Sequence, residues 1–306
     1  MNINFAFLRH GHGCHNALGP LYENGLIDRK DFKDFLDMKC DPELTQLGVD
    51  ASIHNGCLVS KLLKKVPDFD KDYKMNPVNV VGCSPLIRCM ETAYYMTRKW
   101  QNPPQKIFVF PYLREINESS SDPYSDESRK KMATSPSYAM KSIADQKEYL
   151  QSRGILQYFD FTYVENNLRA RHEPGDLFVF MKWFARKFIM TNNLQKKDQL
   201  KVFVTTHAGV LKQFAEERFP NNSGIIVNTT FRQPSQMSFN KFLSLNDMLH
   251  TINFFTHYNH PNYNNKEYFC PSNRCGNLCL RRQSTKELKH LSSQCIASES
   301  SLSSDL

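Results

Sequence analysis

The sequence predicts an α/β protein, a three-layer α/β/α sandwich on a mostly parallel sheet. Three observations carry this expectation. Short apolar runs rich in β-branched and aromatic residues alternate with stretches of helical periodicity, the pattern of strand–helix–strand units. The runs are close to continuously apolar, as in strands covered on both faces. Polar, chemistry-bearing residues follow each run directly, where open α/β sheets hold their ligands.

Residues 3–8 are the first predicted strand. A helix over 45–66 follows, with Leu47, Ala51, Leu58, Leu62 and Val66 on one stripe. The second strand is 78–81. Ser84 and Pro85 then open a helix to about residue 100, Ser as N-cap and Pro at the first helical position. The third and fourth strands are 106–110 and 201–205. Between them, 116–175 breaks the rhythm: "INESSSDPYSDESRKK" is polar and turn-rich, with helical segments at 138–151 and 166–171. This polar and helical segment is expected as an insertion, or lid, over the C-terminal edge of the sheet. An apolar helix at 178–190 carries Lys182, Arg186 and Lys187. After the fourth strand, 210–219 is helical, stopped by Pro220, Asn221 and Asn222, and a strand pair at 224–229 and 237–245 closes the sheet. The domain thus spans 1–260, and 261–306 reads as a Cys-containing, Ser-rich, disordered tail.

The chain's 306 residues, 40% hydrophobic and 23% charged, suffice for one large domain with a core. A formal charge of +8 suits anionic ligands, but its sign alone selects no class of partner. No stretch approaches ~18 uninterrupted apolar residues, so no membrane span is expected. Ile3 already opens the first apolar run, leaving no room for an export signal. With nine scattered cysteines, the expectation is a soluble cytoplasmic protein with reduced thiols. No recognition helix, aromatic–basic interleaving or zinc knuckle points to nucleic acid. Cys270, Cys275 and Cys279, near His257, His260 and Cys295, match zinc-ligand spacing only loosely and read as ordinary thiols. Ser284 ends a basic "LRRQS", a pattern that Ser-rich tails match readily by chance. Cys14 lies beside the candidate site, where a cationic pocket would sensitise a thiol to oxidation.

The strand ends concentrate unusual chemistry. The first is followed by Arg9, His10 and Asn16; the second by Arg88, with Thr92 one turn later on the same face. The third is followed by Arg114 and Glu115, and the fourth by His207, just ahead of a helix. Each has an ordinary reading alone: a solvated Arg, a satisfied core His. Their joint placement on one rim does not.

The ordered motifs "LRHGHGCHN", "DPELTQLG", "SPLIRCMETA", "LRE" and "THAG" resemble those of the histidine phosphatase superfamily, with the phosphoglycerate-mutase-like fold, across about residues 3–220. The resemblance implies a site at the C-terminal edge of the sheet. There His10 would be the nucleophile that becomes phosphorylated, and Arg9 and Arg88 would clamp the phosphoryl oxygens. His207 and Asn16 would add hydrogen bonds, and Glu115 would be the general acid. Thr45 resembles the structural position that begins the second helix. No metal and no cofactor is implied, because fixed positive charge does that work. The acid-phosphatase and phytase marks, RHGxRxP and a later His-Asp pair, are absent. The "RHYG"-like stretch that mutases place after the catalytic Glu is replaced by "INESSSDPYSDES".

These motifs imply a phosphomonoester hydrolase acting on a small phosphorylated metabolite. The alternatives are a phosphosugar-acid mutase and a non-catalytic phospholigand-binding or interaction module. Physical chemistry supports the roles independently. A neutral imidazole is a competent nucleophile at physiological pH, and arginine offers two phosphoryl oxygens a permanently charged planar fork. His12 and His15, extra imidazoles beside His10, are read as ordinary loop residues, with substrate contact as the alternative.

Overall fold

The computed structural model describes residues 2–16, 28–30, 41–65, 78–115, 141–165, 176–192, 200–214, 219, 221–233 and 236–244. Strand β1 (Asn2–Arg9) opens the chain. Its side chains alternate between two cores: Ile3, Phe5 and Phe7 enter one, Ala6 and Leu8 the other. The same strand can feed both because each face of the sheet is covered. Helices α1 (Gln46–Lys65), α2 (Ile87–Thr97) and α3 (Ile143–Ser152) lie with the Ala6/Leu8 core. Helix α5 (Asp176–Thr191) and the short α6 (Ala208–Lys212) lie with the Phe5/Phe7 core. The three-layer α/β/α sandwich is as expected.

The other strands are β2 (Val80–Cys83), β3 (Ile107–Val109), β4 (Phe159–Asp160), β5 (Leu200–Thr206), β6 (Gly224–Gln233) and β7 (Gln236–Ser244). They form one seven-stranded sheet in the order β4-β3-β2-β5-β1-β6-β7. The pairs β4–β3, β3–β2, β2–β5 and β5–β1 are parallel; β6 is antiparallel to β1, and β7 to β6. Strands β1 and β5 end level, Arg9 opposite Thr206. The residues that follow, His10 and His207, therefore emerge side by side.

Four sequence expectations need correction. Strand β2 begins at Val80, two residues later than expected. Helix α2 begins at Ile87, its N-cap is Leu86, and no side chain of the cap residue serves it. Ser84 is diverted to His207, and the Asp41 carboxylate, from a loop 46 residues earlier, accepts the Ile87 N–H at 2.7 Å instead. On α1, Ala51 is buried as expected, but Leu58 is only half-buried, while Ser52, Val59 and Leu63 are buried; the side chains of Leu47, Leu62 and Val66 lie outside the description. Its first turn packs tightly on the loop after β1: a Cβ on Gly48 would lie 2.1 Å from the His12 carbonyl oxygen. Finally, Cys57 is disulfide-bonded, against the expectation of reduced thiols, whereas Cys14, Cys83 and Cys89 are buried thiols.

The expected insertion is described only over 141–165, and that part is framework. Helix α3 starts on Ser142, whose Oγ accepts the Asp145 N–H. It ends on Gly154 at φ +69°, with Gly154 N–H bonded to Gln151 O and Ile155 N–H to Leu150 O. That paired closure needs a residue free to adopt positive φ. The chain then enters β4 and the four-residue α4 (Thr162–Glu165), burying Leu150, Ile155, Phe159, Phe161 and Val164. Residues 116–140, the helix expected at 166–171, Pro220, Ser284 and the Cys270, Cys275, Cys279 cluster lie outside the described residues. Among the described residues, no helix is long and apolar enough to cross a membrane.

Candidate active site

The loop after β1 is held on three sides. Asn222 and Asn221 approach from one side: Asn222 N–H donates to the His10 carbonyl, and Asn221 Nδ2 reaches the carbonyls of His10 and Gly11, each at 3.1 Å. From α2, the Thr92 hydroxyl oxygen accepts the Gly11 N–H at 2.8 Å. From the Asp41–Thr45 stretch, Thr45 N–H donates to the His12 carbonyl, and Cys14 N–H donates to the Glu43 carbonyl. Thr45 also caps α1 by accepting the Gly48 N–H, which confirms its structural role. Its hydroxyl donates to the His12 carbonyl, so its oxygen receives His12 Nδ1–H. His12 is thus a loop-fastening residue, buried and held neutral, its pKa lowered to about 4 by burial and then by Arg9.

His10 is fully buried. Its Nδ1 lies 2.7 Å from the Gly11 carbonyl oxygen, which can only accept. Nδ1 therefore carries the proton and Nε2 keeps its lone pair. Arg88 Nε–H points at that Nε2 from 3.3 Å. Burial foremost, then Arg88, His207, Arg9 and His15, holds the ring well below the usual histidine pKa. The result is a neutral imidazole with its free nitrogen turned into a cationic pocket.

Arg88 is the organising cation. It is 0% exposed, and its NH2 lies 3.3 Å from His207 Nδ1 while its Nε serves His10. Its helix is pinned to the end of β5 by Thr205 Oγ1–H to the Cys89 carbonyl and by Cys89 Sγ to the Thr206 carbonyl. Asp41 fixes the helix start, and its second oxygen accepts Gln146 Nε2 from α3 at 2.7 Å. Arg9 is half-buried and tethered through NH1 to the Phe219 carbonyl at 2.5 Å.

His207 is the N-cap residue of α6. Its ring centroid is 5.1 Å from that of His10, and its Nε2 lies 2.9 Å from Ser84 Oγ. Glu115 Oε2 stands 3.5 Å from His207 Nδ1, and Glu115 Oε1 accepts the Gly209 N–H at 3.1 Å. The loop carrying Glu115 is secured by Thr206 Oγ1–H donating to the Leu113 carbonyl. Arg114, in the same loop, is half-buried. Asn16 spends its Oδ1 on the Gly13 N–H and on Asn221, which leaves its amide nitrogen as the end able to donate to an anion.

The structure thus brings His10, Arg88, His207 and Glu115 together and sets Arg9 and Asn16 at the rim. Sequence reading missed Asp41, Ser84 and Asn221. Asp41 lay in a quoted motif, and its positive φ of 49° marks a backbone held for a purpose. Ser84 was assigned to the wrong partner, and Asn221 looked like a helix stop.

The fold and site define a mostly parallel α/β protein with a buried, histidine-lined, cationic pocket at the C-terminal edge of its sheet. No protein-family model and no curated protein sequence matches the chain. Among solved structures it is similar to the alpha-ribazole phosphatase of Shigella flexneri, with 14% identity and a TM-score of 0.31 over 79% of this chain and 97% of that one. It is also similar to a phosphoglycerate mutase of Thermus thermophilus, with 16% identity and a TM-score of 0.29 over 79% and 98%. Superpositions this loose carry no weight for function.

Proposed function

We propose that the chain is a phosphomonoesterase of the histidine phosphatase superfamily, acting without metal or cofactor through phospho-His10 on a small phosphorylated metabolite. One observation carries the reading: the Gly11 carbonyl holds the His10 Nδ1 proton, which leaves Nε2 unprotonated with its lone pair turned to the Nε–H of a buried guanidinium. A scaffold for binding alone has no use for an aimed, neutral nucleophile.

The residues divide the chemistry as follows. His10 Nε2 attacks phosphorus, and the ester P–O bond breaks as the N–P bond forms, splitting one hard step into two. Charge on the peripheral oxygens is held by Arg88, Arg9, His207 and the Asn16 amide, so catalysis is largely positioning and electrostatics. Protonated Glu115 donates to the departing alkoxide. The resulting carboxylate then takes a proton from the water that attacks phospho-His10, releasing phosphate and restoring His10. Substrate, one water and the protein thus supply every atom and electron.

The test is phosphate release from a panel of phosphorylated metabolites, with chelator present, by wild type beside His10→Ala. Release by wild type alone supports the reading. Isomerised product without net release would replace it with a mutase, and tight phospholigand binding without turnover would replace it with a binding module.

A further inference from the structure

His15 is the site imidazole that neither the mechanism above uses nor a hydrogen bond to the loop explains. It differs from its neighbours in three ways. His10, His12 and His207 are buried, whereas His15 is half-buried. His10, His12 and His207 each have a hydrogen-bond partner for a ring nitrogen, whereas His15 Nδ1 is shielded from water with none. Its ring also folds back on the loop instead of leaving it. The centroid stands 5.5 Å from that of His10, and its Nδ1–Cε1 edge fills the place where a side chain at position 13 would begin. A Cβ on Gly13 would lie 2.8 Å from both ring atoms, and Arg88 Cδ lies 3.5 Å from the same point. Glycine at 13 is therefore what admits the ring to the pocket.

We propose that His15 is a substrate-contacting residue, donating a hydrogen bond from its ring to a bound phosphoryl group. The proposal rests on the phosphatase reading of the same pocket. An imidazole beside His10 with an unpartnered ring nitrogen, on the least buried of the four histidines, is placed to meet an anion held in front of His10. Burial foremost, then Arg88, Arg9 and His12, keeps it neutral, so it keeps one N–H to donate and adds no charge to an already cationic site. A phosphoryl oxygen needs a donor, and a polar atom buried without a partner is costly until it finds one.

The experiment titrates inorganic phosphate into wild type, His15→Phe and His15→Gln by calorimetry, and follows the His15 ring nitrogens of wild type by 15N NMR. His15→Phe, which keeps the ring's bulk, is expected to bind phosphate about tenfold more weakly, the effect of one hydrogen bond. His15→Gln should recover part of the loss, and the His15 nitrogen signals should shift with phosphate in wild type. Unchanged affinity in His15→Phe with unshifted ring signals overturns the role of His15 and leaves the phosphatase reading standing. No phosphate binding by wild type overturns both. If His15→Phe fails to fold, the wild-type ring signals decide: a shift on titration supports the contact and its absence refutes it.

Discussion

Glu91→Gln is expected to change the pH dependence of stability while keeping its hydrogen bonds. Glu91 is 1% exposed; its Oε2 accepts the Leu44 N–H at 2.7 Å, its Oε1 accepts the Tyr149 hydroxyl at 2.6 Å, and Arg153 Nε stands 4.0 Å away. Burial outweighs these partners and raises the carboxyl from 4.5 to about 7. The folded chain thus holds a proton that the unfolded chain has released. The stabilisation this brings is fully present below about pH 4.5 and is lost as pH rises through 7. At about 1.4 kcal/mol per pH unit, the difference is about 3 kcal/mol. His12 works in the opposite sense: its pKa is lowered to about 4, so its contribution is present above 6.5 and lost as pH falls toward 4. Wild-type stability alone therefore conceals both. The variant isolates Glu91, since a Gln oxygen can still accept from Leu44 and its amide can donate to the Tyr149 oxygen. Urea unfolding of both proteins between pH 4.5 and 8 gives the comparison. Relative to wild type, Glu91→Gln should gain about 3 kcal/mol at pH 8 over its value at pH 4.5. A difference between the proteins that stays constant with pH would refute the reasoning, because Glu91 would then titrate as an ordinary carboxylate.

Other consequences follow from the same geometry. Glu115→Gln should lower turnover of alkyl phosphates by about 10²–10⁴-fold and of aryl phosphates far less, because aryl leaving groups need little protonation; equal losses in steady-state assays would remove Glu115 from the acid role. Asp41→Asn sets an amide N–H against donors, since the carboxylate now accepts from Ile87, Gln146 and Lys141. It should cost about 1–3 kcal/mol in denaturation and lower kcat through Arg88, which adjoins Ile87. A stability loss with unchanged kcat would show that the cap does not position Arg88.

The site was legible where chemistry and topology coincide. A parallel strand buried on both faces has no place for Arg9, His10, Glu115 or His207, so such residues collect just past its end. Their joint occurrence after four apolar runs marked the rim before any contact was known. What stayed hidden depended on long-range partners. Ser84-Pro85 has the local form of a helix start, yet Ser84 sits beside His207, 123 residues later, and the cap comes from Asp41. Strand β4 has two residues, too short for any periodicity to register, and its place is set by pairing with Ile107 and Phe108. His12 and His15, alike in sequence, separate only in three dimensions: Thr45 engages one ring, and Gly13 admits the other to the pocket.

Arg88 also bears on metal chemistry. One nitrogen each of His10 and His207 and a carboxylate oxygen of Glu115 lie within 4.8 Å of one another, a two-histidine, one-carboxylate set of the kind that holds zinc. The guanidinium stands against two of these three residues, with one nitrogen 3.3 Å from His10 Nε2 and another 3.3 Å from His207 Nδ1. It brings one positive charge and engages the Nε2 lone pair only through a hydrogen bond. That bond is broken far more easily than a metal–nitrogen bond, so on the proposed mechanism Nε2 can still be released to attack phosphorus. Arg88→Ala should free that space and turn the three ligands into a metal centre. Added Co²⁺ should then give visible ligand-field absorption with the variant and none with wild type. Equal spectra from both proteins would show that the guanidinium excludes nothing, and no spectrum from either that the three ligand atoms do not converge. Only the expected difference fits an arginine that keeps a metal from these ligands.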